Sequence, residues 1–346
     1  MIPKWFPKHP PLYDISKTYA ENCSKGPFFS GEIPQRDPPK NRVDFLGHEV
    51  SSLIGVPAGP LLNSKWIELA GKLGFDIPVY KTIRSEAHPG HRLPNVQFID
   101  ALGNQITNPK TIDQLSITNS FGMPSQSPDF LLQDIERANR SLSEGQVMIV
   151  SVVGTPNRGL SFVSDFVKTA KLALEGGAKI IEANFSCPNV EKADGILYQN
   201  PQTVHEYTQI IAKAIHPIPL ILKVGRFESA HQMKSVFLAA ARGGAKAICG
   251  INSVSMQIHP PLDEQRKTSG VCGAAIRSFA LEFVREGKKI VQENKLDLIL
   301  IGCGGIIKPN HFNDFFDAGA DVSMSAAGMM WDPYLAMRYH DSISHP

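Results

Sequence analysis

From residue 47 onward the sequence repeats one pattern, and this repeat constrains the fold more than any other feature. A short apolar strand is followed by a polar loop, an amphipathic helix, a glycine and the next strand. The candidate strands are Leu53–Ala58, Pro78–Lys81, Val147–Val152, Lys179–Asn184, Pro219–Val224, Ala245–Ile251, Leu298–Ile301 and Asp321–Ser325. Eight strands alternating with helices predict an α/β protein, a (β/α)8 TIM barrel with its active site on the loops after the strands.

Three predicted helix ends resemble one another and support this repeat. Glu-Gly-Gly-Ala-Lys stands at 175–179, Arg-Gly-Gly-Ala-Lys at 242–246 and Asp-Ala-Gly-Ala-Asp at 317–321. We expect a glycine at each end to take the left-handed conformation that ends a helix before a parallel strand. The helix before the first of these ends has one apolar face, formed by Val163, Phe166, Val167, Ala170 and Leu174 at helical spacing.

A doubly wound sheet is the alternative fold. The dinucleotide fingerprint G-x-G-x-x-G is missing, because Gly302-Cys303-Gly304-Gly305 has the wrong spacing and lies late in the chain. The strands are unevenly spaced, with long insertions at about 83–145 and 185–210, after strands 2 and 4. Insertions of this length in a compact barrel usually build or cover an active site.

Residues 1–46 differ from the rest, being rich in proline and polar residues, with a helix plausible only around Tyr13 to Asn22. We interpret them as an N-terminal arm that packs on the barrel or on a neighbouring subunit, with a partly ordered tail as the alternative. The expected domains are therefore the arm, 1–46, and a catalytic barrel, 47–346. Pro3 and Pro7 prevent an amphipathic membrane helix at the amino end.

Composition disfavours several classes of protein. With 42% hydrophobic and 20% charged residues, the chain is an ordinary globular protein, and its formal net charge of +2 disfavours nucleic-acid binding. No apolar run reaches the ~18 residues of a membrane span, and the amino end lacks the apolar segment of a signal peptide. The five cysteines contain no C-x-x-C pair, which suits free thiols in a reducing cytoplasm and disfavours disulfides, iron–sulfur clusters and zinc sites.

Nearly every predicted strand ends in a polar or glycine-rich segment. Singly, each has a simpler explanation: a strand-end lysine is solvated, an asparagine caps a turn, and Cys187 is buried as a small hydrophobe. Together, two lysines, four amides and a thiol at one barrel mouth are costly to gather without an anionic, hydrogen-bonding ligand. The eleven histidines show no metal-binding spacing, so no metal site is predicted.

The segment 184–189, Asn-Phe-Ser-Cys-Pro-Asn, follows the fourth strand. It resembles the catalytic loop of the dihydroorotate dehydrogenases, in the branch that uses a cysteine as base. The resemblance covers about 47–335, with the motifs in the family's order. It implies an FMN-dependent enzyme that oxidises dihydroorotate to orotate in pyrimidine biosynthesis. Cys187 is then the base for the C5 proton, hydride passes from C6 to flavin N5, and Lys81 supplies positive charge where negative charge accumulates.

The resemblance also implies site residues. Those near the substrate are Lys81, Asn119, Phe121, Gly122, Met123, Asn184, Asn189, Asn252 and Ser253. Those near the flavin ring and ribityl chain are Ala58, Gly59, Lys81, Thr82, Asn119, Asn184 and Lys223. Those at the flavin phosphate are Ser269, Gly270, Gly304, Gly305, Ala326 and Ala327. Tyr198 falls where the catalytic loop re-enters the barrel.

Three features depart from the family pattern. Ala326 and Ala327 stand where many relatives have a glycine and a hydroxyl residue, although backbone N–H groups can still hold a phosphate there. Phe121 replaces a smaller aliphatic residue. The arm is longer than in the soluble cysteine-type enzymes, and it lacks the apolar helical pair with which the membrane-bound serine-type branch reaches quinone.

The electron acceptor is open at this point. Fumarate is favoured, an NAD-linked enzyme would need a separate subunit with FAD and an iron–sulfur cluster, and quinone is least favoured. Relatives are commonly homodimers, which is the expectation here.

Two other functions stay open. One is an FMN oxidoreductase for another dihydropyrimidine, an enone-like substrate or, as in the dihydrouridine synthases, a tRNA uridine. The near-neutral charge disfavours tRNA. The other is a non-catalytic flavin-binding barrel, which the intact thiol and asparagines disfavour.

Overall fold

The structure is a computed structural model, and it describes residues 11–36, 41–156, 159–186 and 197–344. The strands in this part of the chain are β1 (Val43–Phe45), β2 (His48–Val50), β3 (Ile54–Val56), β4 (Ile77–Ile83), β5 (Val96–Phe98), β6 (Ser116–Asn119), β7 (Ile149–Val152), β8 (Ile180–Asn184), β9 (Leu220–Lys223), β10 (Ala247–Gly250), β11 (Val254–Gln257), β12 (Thr268–Gly273), β13 (Ile299–Cys303) and β14 (Val322–Met324). The helices are α1 (Tyr19–Lys25), α2 (Ser64–Lys72), α3 (Pro128–Ser141), α4 (Phe162–Glu175), α5 (Pro201–Ile215), α6 (Ala230–Gly243), α7 (Arg277–Glu293), α8 (Asn310–Asp317), α9 (Ala327–Trp331) and α10 (Leu335–Ser344).

Eight parallel strands close into a barrel in the order β3, β4, β7, β8, β9, β10, β13 and β14. β14 closes the barrel on β3, with Ser323 opposite Ile54. These strands correspond one to one with the eight predicted strands, so the predicted (β/α)8 TIM barrel is confirmed. Because the strands are parallel, their carboxyl ends meet at one rim, where the following loops converge.

The barrel interior is filled by branched apolar side chains. Those that are fully buried include Val79, Ile149, Ile221, Ile301 and Val322. The antiparallel hairpin β1–β2 adds Phe45 and Val50 to the same cluster, together with Ile77 and Ile180 at the first residues of their strands. The hairpin therefore closes the amino-terminal end of the barrel and leaves the carboxyl rim for function.

The predicted glycine caps are confirmed. Gly177, Gly244 and Gly319 have φ angles of 90°, 96° and 109°, a conformation that side chains disfavour. Each lies between a helix and the next barrel strand, so the repeated glycines of the sequence mark the left-handed residues of the backbone.

The rim carries a second sheet. β5 and β6, from the insertion after barrel strand 2, join β11 and β12 in an antiparallel sheet of order β11-β12-β6-β5. β11 and β12 form an insertion after barrel strand 6, at 254–273, which the sequence analysis did not predict. β12 finds its partner far along the chain, with Gly270 opposite Asn119, and such long-range pairing leaves little local signal. Of the predicted insertion after strand 4, residues 187–196 lie outside the described residues.

The arm packs on the barrel. Leu12, Tyr13, Tyr19 and Cys23 are buried in the same cluster as the apolar faces of the barrel helices. Asn63, ahead of α2, donates from Nδ2 to the Cys23 carbonyl at 2.7 Å.

The arm helix begins at Tyr19, later than the expected Tyr13 to Asn22. Thr18 and Glu21 form a capping box, in which each side chain accepts the other's backbone N–H. Before it, the Asp14 carboxylate accepts the Ser16 N–H at 3.0 Å and so holds a turn. Within the described ranges of the chain, every helix is too short or too polar to cross a membrane.

Candidate active site

A cavity opens at the carboxyl rim of the barrel and gathers most of the predicted site residues. The predicted residues that line it are Ala58, Gly59, Lys81, Thr82, Asn119, Phe121, Met123, Asn184, Lys223, Asn252, Ser253, Gly304, Gly305, Ala326 and Ala327. Cys187 and Asn189 lie outside the described residues. Tyr198 is buried and its hydroxyl donates to the Arg226 carbonyl at 2.7 Å.

Two buried lysines give the cavity its charge. Lys81, near the end of β4, is 6% exposed, and Lys223, the last residue of β9, is 4% exposed. The Nζ atom of Lys223 lies 3.0 Å from Cys303 Sγ and 3.4 Å from Cys249 Sγ. Burial acts to lower the pKa of Lys223, but the surrounding thiols and Glu182 outweigh it and raise that pKa well above its ordinary value. The surroundings of Lys223 therefore favour its charged form.

The two thiols beside Lys223 differ in acidity. Burial raises the pKa of Cys249 well above its ordinary value. The pKa of Cys303 is lowered to about 6, by a hydrogen bond from Cys249 and then by the Lys223 ammonium, against the effect of burial. Cys303 is thus the more acidic of the two thiols beside Lys223.

A chain of hydrogen bonds orients the amide of Asn184. Ser151 Oγ donates to Glu182 Oε1 at 2.8 Å, and it lies 3.0 Å from Thr82 Oγ1. The Asn184 amide donates from Nδ2 to Thr82 Oγ1 at 3.5 Å, while its Oδ1 accepts the Ser186 N–H at 3.2 Å. Because both ends of the amide have partners, its orientation towards a ligand is set in advance.

Asn252 is held from the neighbouring loop. Its Nδ2 donates to the Ser186 carbonyl at 2.9 Å, and its Oδ1 accepts the Ser253 N–H at 2.8 Å. On the opposite element, Asn119 ends β6 and donates from Nδ2 to Cys272 Sγ at 3.2 Å. Three amides from three different elements are thus fixed around one cavity.

The segment after Asn119 has an unusual backbone. Gly122 and Met123 both have positive φ angles, 74° and 54°. The buried Arg84 donates from Nε to the Met123 carbonyl at 2.9 Å and from Nη1 to Thr155 Oγ1 at 2.8 Å. Arg84 therefore pins a strained turn against the barrel.

The segments that follow β13 and β14 are the predicted site of the flavin phosphate. Gly304 and Gly305 have φ angles of 127° and 82°, and Ser325 donates from Oγ to the Ile306 carbonyl at 2.7 Å. Helix α9 begins directly after Ala326, so the N–H groups of its first turn lack partners within the helix. A Cβ atom added to Gly59 would meet nothing within 4 Å, which leaves room beside the backbone for a flat ring. These residues fit FMN.

Three predicted site residues do not line the cavity. Gly122 lies in its wall segment, and Ser269 and Gly270 lie in β12 behind the wall. Ser269 donates from Oγ to the Asn119 carbonyl at 2.8 Å, and a Cβ on Gly270 would stand 2.5 Å from Ser253 Oγ. Because β12 pairs with β6, these two residues support the lining of the cavity, and their place at the phosphate end stays a prediction.

The sequence analysis missed other lining residues, among them Tyr13, Cys272 and Gly273. Gly273 has a φ angle of 89° just ahead of a helical segment, so a glycine at a helix start was the available signal. Tyr13 offered none, because its place depends on how the arm packs.

A closed barrel whose carboxyl-rim cavity combines apolar walls with two buried lysines and three amides is the architecture of an enzyme for a small anionic ligand. The family model described as dihydroorotate dehydrogenase matches residues 41–345. The dihydroorotate dehydrogenase of Dictyostelium discoideum is 45% identical, over 97% of this chain and 98% of that protein. The chain therefore belongs to the dihydroorotate dehydrogenase family and is an oxidoreductase.

More distant relatives differ in their named electron acceptors. The catalytic subunit of dihydroorotate dehydrogenase B (NAD(+)) of Methanocaldococcus jannaschii is 25% identical, over 73% of this chain and 75% of that protein. The dihydroorotate dehydrogenase A (fumarate) of Limosilactobacillus reuteri is 28% identical, over 54% and 58%. The crystal structure of the Eimeria tenella DHODH with ferulenol shares the fold, with a TM-score of 0.74 at 16% identity over 94% of this chain and 88% of that one.

Proposed function

We propose that this protein is an FMN-dependent enzyme that oxidises dihydroorotate to orotate. The observation that carries the proposal is the convergence of Lys81 and Lys223 with Asn119, Asn184 and Asn252 on one rim cavity. A flat ring with amide edges and a carboxylate can use each of these groups, whereas an apolar ligand would offer them no hydrogen-bonding atoms.

FMN is the cofactor that these residues would hold. Bound FMN supplies a hydride acceptor at its N5 atom. Lys223 offers a buried positive charge, Thr82 and Asn184 offer hydrogen bonds, and the backbone at Gly304–Gly305 and at the start of α9 suits a phosphate.

The substrate is oriented by amides and by Lys81. Asn119, Asn184 and Asn252 pair with the polar edges of the dihydropyrimidine ring. Its carboxylate lies against Lys81 and the backbone at Gly122–Met123. The partners that already hold two of these amides reduce the entropy lost when the substrate binds.

Cys187 is the base that takes the C5 proton of the substrate. It follows Ser186 in the chain, and Ser186 lies against Asn252 at the cavity wall. A free thiol has a pKa of ~8.5, so catalysis by its thiolate favours alkaline pH unless the site lowers that value.

Fumarate is the acceptor that we favour. A dicarboxylate can use the cationic cavity that orotate leaves, so no second site is required. The relative named for fumarate supports this choice, whereas the relative named for NAD(+) is the catalytic subunit of a larger enzyme. The proposal includes a cytoplasmic homodimer as the working form of the protein.

The visible spectrum of the purified protein tests the proposal. Under anaerobic conditions, the FMN-loaded protein is expected to bleach when dihydroorotate is added and to regain its colour with fumarate. If the protein is yellow but does not bleach, it binds a flavin, and dihydroorotate is not its substrate. A colourless protein that cannot take up FMN would reject the whole proposal.

A further inference from the structure

The N-terminal arm reaches the candidate active site through Tyr13. This residue lines the same cavity as Lys81 and Asn119, and among the described lining residues it is the one that comes from the arm. It is 1% exposed, so it is as firmly enclosed as the residues of the barrel core.

Both neighbours of Tyr13 are held in place. The buried Asn22 accepts the Asp14 N–H on its Oδ1 at 2.8 Å and donates from Nδ2 to the Asp14 carbonyl at 3.0 Å. The Phe28 N–H donates to the Leu12 carbonyl at 3.1 Å. The Tyr13 side chain therefore enters the cavity wall from a fixed backbone.

Tyr13 also holds Phe121, the residue of the substrate segment that departs from the family pattern. The two ring centroids are 5.8 Å apart with an interplanar angle of 70°, and Tyr19 packs on Phe121 at 5.8 Å and 64°. Edge-to-face pairs at such distances are favourable. Phe121 is thus clamped by two aromatic rings of the arm.

The ring of Tyr13, and not its hydroxyl, makes the contacts with the surrounding residues. The hydroxyl is enclosed and has no hydrogen-bond partner within the described chain. Burial raises the pKa of Tyr13, so the group stays neutral. A phenylalanine at this position would keep the ring and lose no hydrogen bond.

We propose that Tyr13 is a specificity-determining residue, whose ring forms with Phe121 an aromatic wall that packs against a flat six-membered ring ligand and limits the size of its substituents. The arm is then a part of the active site. This inference rests on the proposed function for the identity of the ligand.

The test compares Tyr13→Ala, Tyr13→Leu and Tyr13→Phe in the full-length, FMN-loaded protein. Orotate and 5-methylorotate are titrated, and their dissociation constants are taken from the change in the flavin spectrum. In the Ala and Leu variants we expect the orotate constant to rise about tenfold, because a buried aromatic contact is lost. We also expect these variants to discriminate less between the two ligands, because the wall has opened.

Two variants separate this role from a merely structural one. Tyr13→Phe is expected to keep the orotate constant within about twofold of the wild type, because the hydroxyl makes no bond. Phe29→Ala removes an arm contact outside the cavity, the 5.5 Å pair with Tyr334, and should leave both ligand constants unchanged. The Leu variant keeps an apolar side chain, should the Ala variant fail to fold.

The inference is overturned if the Leu variant retains the wild-type orotate constant and ligand ratio, or if Phe29→Ala shifts them equally. If the wild type binds FMN but no orotate, the proposed function fails separately. The FMN constant then decides the inference. It should rise about threefold in Tyr13→Leu, less than for orotate because the phosphate end also holds the flavin, and an unchanged constant overturns the inference.

Discussion

The ammonium of Lys223 lies 3.0 Å from the Sγ atom of Cys303, at the buried wall of the rim cavity. The two residues end β9 and β13, which flank β10 in the barrel. A hydrogen bond from Cys249 and the Lys223 ammonium lower the pKa of Cys303 to about 6, and against the effect of burial the two thiols raise the pKa of Lys223. Removing one partner of a buried charged contact destabilises a protein more than replacing both partners with well-packed apolar residues does.

Cys303→Ala is therefore expected to destabilise the FMN-free protein by about 1–3 kcal/mol, because a buried donor of Lys223 loses a partner. Cys303→Ser keeps a hydrogen-bond acceptor and should cost less. Urea unfolding at pH 7.5 measures both. If the free energy of unfolding falls equally in the two variants, the loss of side-chain volume, and not the loss of the Lys223 contact, causes the destabilisation.

Cys187→Ser is expected to lower turnover by about 10²–10⁴-fold, the usual contribution of a general base, while FMN remains bound. The turnover of the wild type should rise towards alkaline pH as the thiolate forms, and the serine variant should lose this rise. Cys272→Ser is the matched control. Its thiol lines the cavity beside Asn119 at 3.2 Å, and a serine there can still accept that hydrogen bond. Unchanged turnover in Cys187→Ser would remove Cys187 from the mechanism.

The sequence predicted the barrel well because its signals are local. Each strand is an apolar run, and glycines such as Gly177 sit where the backbone must turn left-handed. The predicted face of α4 was only partly right. Phe166 and Ala170 are buried, but Asp165 is buried beside them. Its carboxylate accepts Ser85 Oγ at 2.6 Å and the Thr155 N–H at 2.7 Å, partners that no helical periodicity can reveal.

The candidate site was predictable where a residue lies at or near the carboxyl end of a barrel strand, as Lys223 and Lys81 do. It was not predictable where a distant segment supplies the wall. Tyr13 reaches the cavity only because Asn22 and Phe28 fold the arm back, and Gly270 supports Asn119 only through a pairing across the second sheet. Such placements depend on tertiary contacts and leave no pattern in the neighbouring residues.

Arg84→Ala is expected to raise the KM for dihydroorotate about tenfold, the effect of roughly 1.4 kcal/mol, with a smaller change in kcat. The reason is that the Met123 carbonyl and Thr155 lose their donors, so the turn beside the substrate loosens. Arg140→Ala, which removes an exposed arginine paired with Glu136 on α3, is the control and should leave KM unchanged. A fall in kcat alone would contradict a positioning role for Arg84.

Stability is expected to fall as the pH is lowered below about 6.5, the ordinary pKa of histidine. Burial lowers the pKa of His88, His91, His311 and His340. A lowered pKa in the folded state means that the unfolded chain takes up protons first. The stabilisation is thus complete above pH 6.5 and is lost as the pH falls towards the folded pKa.

His311 provides the sharpest test of this pH dependence. It is buried, and its Nδ1 accepts the Ile307 N–H at 3.3 Å. Protonation of Nδ1 would place its own N–H against the Ile307 N–H, and this hydrogen bond would be lost. His311→Asn keeps an acceptor but cannot titrate, so urea midpoints measured between pH 7.5 and 5.5 should fall less steeply than in the wild type. The same substitution at the exposed His231 is the matched control. If His311→Asn and the wild type lose stability in parallel over this range, the pKa of His311 does not differ between the folded and unfolded states, and the prediction is wrong.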